Sequence, residues 1–157
     1  MSKILVAYFS ATGVTAQIAK QLAKVSESES YEIKPAKPYT EADLNWTNNQ
    51  SRSAIEMSDP RSRPALADKK APIAKYDKIL LGFPIWFYWA PTIVNTFLES
   101  YNFYGKTIIL FTTSDGNGFK KTKENLVRSC PGAIVKEGNV LNGTFSDSAL
   151  KQWVDSL

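Results

Sequence analysis

The stretch KILVAYFSATGVTAQIAKQLAKV, residues 3–25, decides how this chain folds. Residues 3–9 form a nearly continuous apolar run, which is typical of a strand buried on both faces. Apolar residues then recur at the spacing of an amphipathic helix, at Val14, Ile18, Leu22 and Val25. A short polar loop joins the two patterns. The order predicts a buried strand, a tight loop and a helix, as in the first half of a parallel βαβ unit.

The same alternation continues along the chain. Further strands are predicted at 31–34, 78–83, 107–111 and 133–141, the last kinked at Gly138. Helices are predicted near 46–57, after Pro91, at 119–128 and after Ser146, which can cap the last one. The inward positions expected in the last two helices are Leu126, Val127, Cys130, Ala149, Leu150, Trp153, Val154 and Leu157.

Strands that alternate with helices favour a parallel sheet covered by helices on both faces. Five strands of this length suit the doubly wound α/β order 2-1-3-4-5. We expect a single domain over residues 1–157. Residues 36–72 are the least readable part because they hold four prolines and many polar residues, and 61–70 is predicted to be a surface loop.

Composition excludes several classes of function. The chain has no histidine, which removes the usual general base, the commonest zinc ligand and any Ser-His-Asp arrangement. Its 19 Lys and Arg residues are spread along the chain and give a net charge of only +4, which argues against nucleic-acid binding. One cysteine, Cys130, rules out an intramolecular disulfide, and we expect a cytoplasmic protein.

The uncharged run 79–98 is long enough to suggest a membrane span. It is interrupted, however, by Gly82, Pro84 and Pro91. A strand, a loop and a helix explain it better, so no membrane segment is predicted.

In doubly wound sheets, ligands bind beyond the carboxyl ends of the strands. The loop after strand 1, residues 10–15, places three hydroxyl groups and Gly13 at the positive end of a helix, where a phosphate can collect N–H and O–H bonds. It lacks the Gly-Lys-Ser/Thr ending of a triphosphate loop and the three glycines of a dinucleotide fingerprint. A phosphate monoester fits better, and a well-capped polar turn is the alternative.

Two more loops meet this edge. Residues 84–91 carry Trp86, Phe87, Tyr88 and Trp89, which suits a planar heterocycle. The alternative is packing against the neighbouring helices, which we favour for Trp89. Residues 113–118 contain two glycines that permit close backbone approach to a polar ring edge, although alone this is an ordinary turn.

Together these loops resemble those of flavodoxins. Residues 10–15 are similar to the flavodoxin phosphate loop, Ser/Thr-x-Thr-Gly-x-Thr, and residues 82–101 and 105–118 resemble a compact bacterial flavodoxin-like subfamily. The resemblance covers nearly the whole chain and implies a flavodoxin-like fold with one non-covalent FMN. The residues it implies for cofactor binding are Ser10, Ala11, Thr12, Gly13, Val14 and Thr15 at the phosphate, Pro84, Ile85, Trp86, Phe87 and Tyr88 along the isoalloxazine, and Thr113, Ser114, Asp115, Gly116 and Gly118 at its pyrimidine edge.

Three features depart from the subfamily pattern. Trp86-Phe87-Tyr88 replaces the usual Trp-Trp-Gly, so a tyrosine can cover one flavin face. Asp115 stands where glycine is usual, and an ionised carboxylate there disfavours added negative charge on the flavin. Many flavodoxins are acidic, whereas the isoelectric point here is about 9.1, which argues against partners steered to an acidic surface.

The leading hypothesis is an electron carrier that works with a redox partner protein, as a monomer or homodimer. The alternative enzyme is an NAD(P)H-dependent quinone or flavin oxidoreductase that uses the same FMN. The sequence lacks the strand-end carboxylates that a receiver domain requires and the first-loop cysteine that a small phosphatase requires. A scaffold without a cofactor stays a remote alternative. Whether residues 40–66 also cover the site, through Trp46 or Arg63, stays open.

Overall fold

A computed structural model describes residues 4–87, 89–113, 119 and 121–157. Five parallel strands form one sheet in the order β2-β1-β3-β4-β5, which confirms the predicted topology. The strands are β1 (Ile4–Tyr8), β2 (Glu29–Glu32), β3 (Lys78–Phe83), β4 (Thr107–Thr112) and β5 (Ile134–Val140). The helices in the described residues are α1 (Val14–Val25), α2 (Arg52–Ser58), α3 (Thr92–Glu99), α4 (Thr122–Val127) and α5 (Asp147–Asp155).

Alternate residues of each central strand point to opposite faces of the sheet, and the residues on both faces are buried. Leu5, Ala7 and Phe9 belong to one cluster, which also contains apolar residues of α3 and α4. Val6 and Tyr8 belong to the other, which contains those of α1 and α5. The continuous apolar strands seen in the sequence are therefore the centre of a three-layer structure.

The kink predicted in the fifth strand is a β-bulge. Leu110 pairs with Glu137 and the next residue, Phe111, pairs with Asn139, so Gly138 has no partner position on β4. A Cβ atom at Gly138 would lie 2.4 Å from the Leu110 carbonyl oxygen, and only glycine fits. The kink predicted there is confirmed, and the bulge lies in the half of the strand nearest the carboxyl edge.

Several details differ from the sequence-based expectations. The helix predicted near 46–57 begins only at Arg52, where Ser51 accepts a hydrogen bond from the Ala54 N–H and caps it. Val127 is 41% exposed because Leu126 takes the inward position of α4, and Ala149 is also exposed. The predicted cap of α5 is confirmed, since the Ser146 hydroxyl accepts from the Ala149 N–H. No helix within the described residues is long and apolar enough to cross a membrane.

Candidate functional site

A cleft of about 510 Å³ lies at the carboxyl ends of β1, β3 and β4. This is the edge at which doubly wound sheets bind ligands, and the volume is in the range of small-molecule sites. Its lining comes from four stretches of the chain and comprises Ala11, Thr12, Val14, Thr15, Leu44, Trp46, Ser53, Pro84, Ile85, Trp86, Phe87 and Thr113. The loops after β1 and β3 and Thr113, directly after β4, therefore meet at this edge, as the sequence predicts.

One end of the cleft is built around the start of α1. Gly13 occupies the N-cap position with a φ of +95°, and none of the described side chains caps the helix there. The Ser10 hydroxyl accepts a hydrogen bond from the Gly13 N–H at 3.1 Å and so fixes the turn. The first N–H groups of any helix lack intrahelical acceptors, so this end presents donors and the positive end of the helix dipole.

The loop after β1 is tied directly to the end of β4. The hydroxyl oxygens of Thr15 and Thr113 lie 2.7 Å apart, and Thr15 is only 2% exposed. The Thr113 N–H in turn donates to the Phe83 carbonyl of β3 at 3.3 Å. These bonds set the spacing between the three strand ends, so the polar end of the cleft is held in place before any ligand arrives.

Val14 departs from its expected place. The helical spacing put it on the apolar face of α1, yet it is 53% exposed and lines the cleft. Because it is the first residue of the helix, it lies beyond the edge of the sheet and has no core to contact. Its position agrees with the implied cofactor-binding set rather than with the core.

The other end of the cleft is aromatic. The Trp86 N–H donates to the Trp89 carbonyl at 3.0 Å, and Phe87 within this turn has a φ of +64°, which is unusual for a bulky residue. The Trp86 ring meets the edges of Phe9 and Tyr39, with ring centroids 5.7 and 5.3 Å away. Trp86 is thus half-buried against the core while part of it still lines the cleft.

The second wall comes from residues 36–58, which follow β2 and include α2. Leu44, Trp46 and Ser53 line the cleft from residues 36–58. Leu44 and Ser53 were missed by the sequence analysis, since neither stands out in a polar, proline-containing stretch. Trp46 was an open possibility and reaches the cleft.

Arg63, the second open possibility, has another role. It forms a bidentate ion pair with Glu99 at the end of α3, with N–O distances of 2.9 and 3.0 Å. Hydrogen bonding from Arg63 lowers the pKa of the Glu99 carboxyl below its usual value, although partial burial opposes this. Arg63 therefore anchors the surface loop to α3.

Five residues of the implied cofactor-binding set lie outside the described residues. They are Tyr88, Ser114, Asp115, Gly116 and Gly118.

The electrostatics of the cleft follow from its lining. None of its described lining residues carries a formal charge. An anion would be held there by backbone N–H groups, hydroxyls and the α1 dipole rather than by lysine or arginine. Within the described part of the chain, no cluster of three or more acidic or cysteine side chains is placed to hold a metal ion.

The fold and this cleft define a doubly wound α/β protein of flavodoxin type. The flavodoxin family model matches residues 3–157, so the chain belongs to the flavodoxin family. None of the curated proteins matches the chain.

Solved structures agree with this assignment. A candidate flavoprotein from Bacteroides uniformis is 49% identical, with 98% of each chain covered and a TM-score of 0.90. Another from Bacteroides eggerthii is 46% identical, with 99% of this chain and 98% of that chain covered and a TM-score of 0.91. A flavoprotein from Lactobacillus acidophilus, solved in complex with FMN, is 22% identical over 98% of this chain and 99% of that chain, with a TM-score of 0.70, and shows the shared fold.

Proposed function

We propose that this chain binds one FMN non-covalently in the cleft and carries electrons through it. The observation that carries the proposal is the two-ended cleft, which has hydroxyls and a helix N-terminus at one end and aromatic rings at the other. FMN has the same division, a phosphate at one end and a planar ring system at the other. Family membership and the FMN complex of the Lactobacillus acidophilus flavoprotein support the choice of cofactor.

The phosphate end would use this chain's backbone and hydroxyl groups. Thr12 is exposed in the cleft, and Thr15 lies beside it in the first turn of α1. The Ser10 hydroxyl already accepts from the Gly13 N–H, so Ser10 fixes the loop shape. Such a site binds a dianion without a charged side chain, because several N–H groups and the helix dipole act together.

The ring end would use Pro84, Ile85, Trp86 and Phe87, which are available as an apolar wall. Bound FMN would supply the one- and two-electron redox chemistry. The protein itself needs to bind the cofactor, orient it and keep water from it.

Cys130 does not take part. It is 3% exposed, its thiol donates to the Leu126 carbonyl at 3.4 Å, and burial raises the thiol pKa to about 11. A neutral core thiol is a poor nucleophile, which argues against a phosphatase. A lone buried thiol also suits the reducing cytoplasm, where we place the protein.

Titration of FMN with the purified apo-protein tests the cofactor assignment. We expect strong quenching of flavin fluorescence at micromolar protein, with affinity lowered about tenfold in Thr12→Val and Thr15→Val, because each loses a hydroxyl from the phosphate end. Thr107→Val, at the opposite end of β4, is the matched control and should bind like the wild type. Unquenched FMN with the wild-type protein would overturn the assignment.

Anaerobic mixing of the FMN-loaded protein with NADPH tests the carrier role. We expect the yellow absorbance to persist, because no charged side chain among the described lining residues is present to hold the phosphates of a second nucleotide. Bleaching within seconds, without an added reductase, would instead establish the NAD(P)H-dependent oxidoreductase.

A further inference from the structure

Trp46 is a large aromatic side chain held in an exposed position. It is 71% exposed, although Trp86 beside it is half-buried. Its indole lines the cofactor cleft on one side and a smaller groove of about 300 Å³ on the other. The groove shares Trp46 and Phe87 with the cleft and is completed by Asn49, Ala54, Met57 and Ser58. Trp46 therefore lies at the boundary of the two cavities.

The loop that carries Trp46 is well ordered by its own hydrogen bonds. Thr40 and Asp43 bond reciprocally, each backbone N–H donating to the other's side chain, at 3.0 and 3.1 Å. The Asn45 side chain accepts from both the backbone N–H and the hydroxyl of Thr47, on either side of Trp46. The Ser53 N–H donates to the Asp43 carbonyl at 2.9 Å and joins this loop to α2. The exposure of the indole is thus imposed by a structured turn.

The same segment supports Trp86. The Arg52 guanidinium lies 3.8 Å from the centroid of the Tyr39 ring, and Arg52 also pairs with Glu56 at 2.9 Å. The Tyr39 hydroxyl donates to Glu56, and the Tyr39 ring makes a T-shaped contact with the Trp86 ring. The two tryptophans that face the cleft are therefore positioned by one network.

We propose that Trp46 is a cofactor-contacting residue, an aromatic wall supplied by the β2–α2 segment that packs on the FMN ring system and excludes water from it. The inference rests on the proposed function. Exposed indole surface beside a cleft is unfavourable in water, and covering it with a planar ring removes that cost. Trp46 shares the smaller groove with Phe87, which belongs to the aromatic end of the cleft, and this favours the ring system over the phosphate as its contact.

Fluorine NMR of the fluorotryptophan-labelled wild-type chain tests this contact directly. Four resonances are expected, and the Trp46 resonance is identified by its loss in Trp46→Phe. On addition of FMN, we expect it to shift and to lose its solvent isotope effect, while the resonance of Trp153, on α5 and outside the cleft lining, stays in place. If FMN binds but the Trp46 resonance remains solvent-exposed and unmoved, the inference is overturned and the proposed function stands.

Binding affinities give an independent readout. We expect Trp46→Ala to raise the FMN dissociation constant about three- to tenfold and Trp46→Phe to restore most of the loss. Ile55→Ala is the matched control, since Ile55 is 53% exposed on α2 and lies outside both linings. Equal affinities for all four proteins would contradict the contact. Failure of the wild type itself to bind FMN would overturn the proposed function and this inference with it.

Discussion

The two walls of the cleft are built in different ways. The strand-end wall, residues 10–15 and 84–87, follows directly from sheet strands, and its position is fixed by backbone pairing and by the Thr15–Thr113 hydrogen bond. The second wall, residues 36–58, contributes no strand, and its position is fixed by side chains, chiefly Arg52, Tyr39 and Glu56. The position of a strand-end loop can therefore be predicted from the local sequence pattern. The position of a wall that is held by side chains depends on contacts between residues far apart in the sequence.

The largest effect is expected from the strand-end wall. Gly13→Ala should weaken FMN binding by about 10- to 100-fold, because a side chain disfavours the φ of +95° and turns the loop N–H groups away from the phosphate. Flavin fluorescence titration measures the loss.

Gly143 provides the matched control for this prediction. It has a similar φ of +90°, and a Cβ atom there, as at Gly13, meets nothing within 4 Å. Both alanine variants should lose about 1–2 kcal/mol of unfolding free energy from left-handed backbone strain, and only Gly13→Ala should lose affinity. Equal affinity losses would mean that the strand-end wall does not hold the phosphate.

A smaller effect is expected from the second wall. Arg52→Met should weaken FMN binding about three- to tenfold, because Tyr39 loses its cation–π contact and Asp43, in the loop that carries Trp46, loses its ion pair. It should also lower the free energy of unfolding by about 1–3 kcal/mol, since the largely buried Glu56 carboxylate loses its cation and keeps only the Tyr39 hydroxyl as a partner. Chemical denaturation of the apo-protein measures the second quantity.

Lys151→Met is the control for Arg52→Met. It breaks another ion pair at the same helical spacing, with Asp155, but that pair is more than half exposed. Its loss should cost at most about 0.5 kcal/mol and leave FMN affinity unchanged. If Arg52→Met binds FMN as the wild type does, the two walls are independent and the side-chain network does not position the second one.

The smallest effect is expected at Arg63, which lies outside both walls. Arg63→Met should leave FMN affinity unchanged. It should remove the stabilisation of the folded state by the Arg63–Glu99 ion pair, which is present at neutral pH and is about 0.5 kcal/mol for a pair this exposed. Because the folded-state pKa of Glu99 is lowered, this stabilisation is complete above the unfolded-state pKa and is lost as the pH falls through the folded-state value. Thermal melting between neutral pH and about pH 3 measures it. A melting difference between the two proteins that is independent of pH would contradict this assignment.

The sequence predicted the sheet and the strand-end wall because both depend on short-range patterns. Apolar runs marked the strands, and the change from an apolar run to helical spacing across one glycine marked the turn at Gly13. The hydrophobic pattern could not predict that Leu126 rather than Val127 faces the core, since two adjacent apolar residues in a short helix fit the helical spacing equally well.

What the sequence determined by itself was the fold class, the strand order and the edge of the sheet at which the cleft lies. The tertiary structure alone decided that residues 36–58 close this cleft and that, of the two side chains able to reach it, Trp46 lines it while Arg63 pairs with Glu99. The physical reason is range. The hydrophobic periodicity of a strand or helix and the residue preferences of a turn depend on a few neighbouring residues. An ion pair or a ring contact joins residues that come close together only after the sheet has formed.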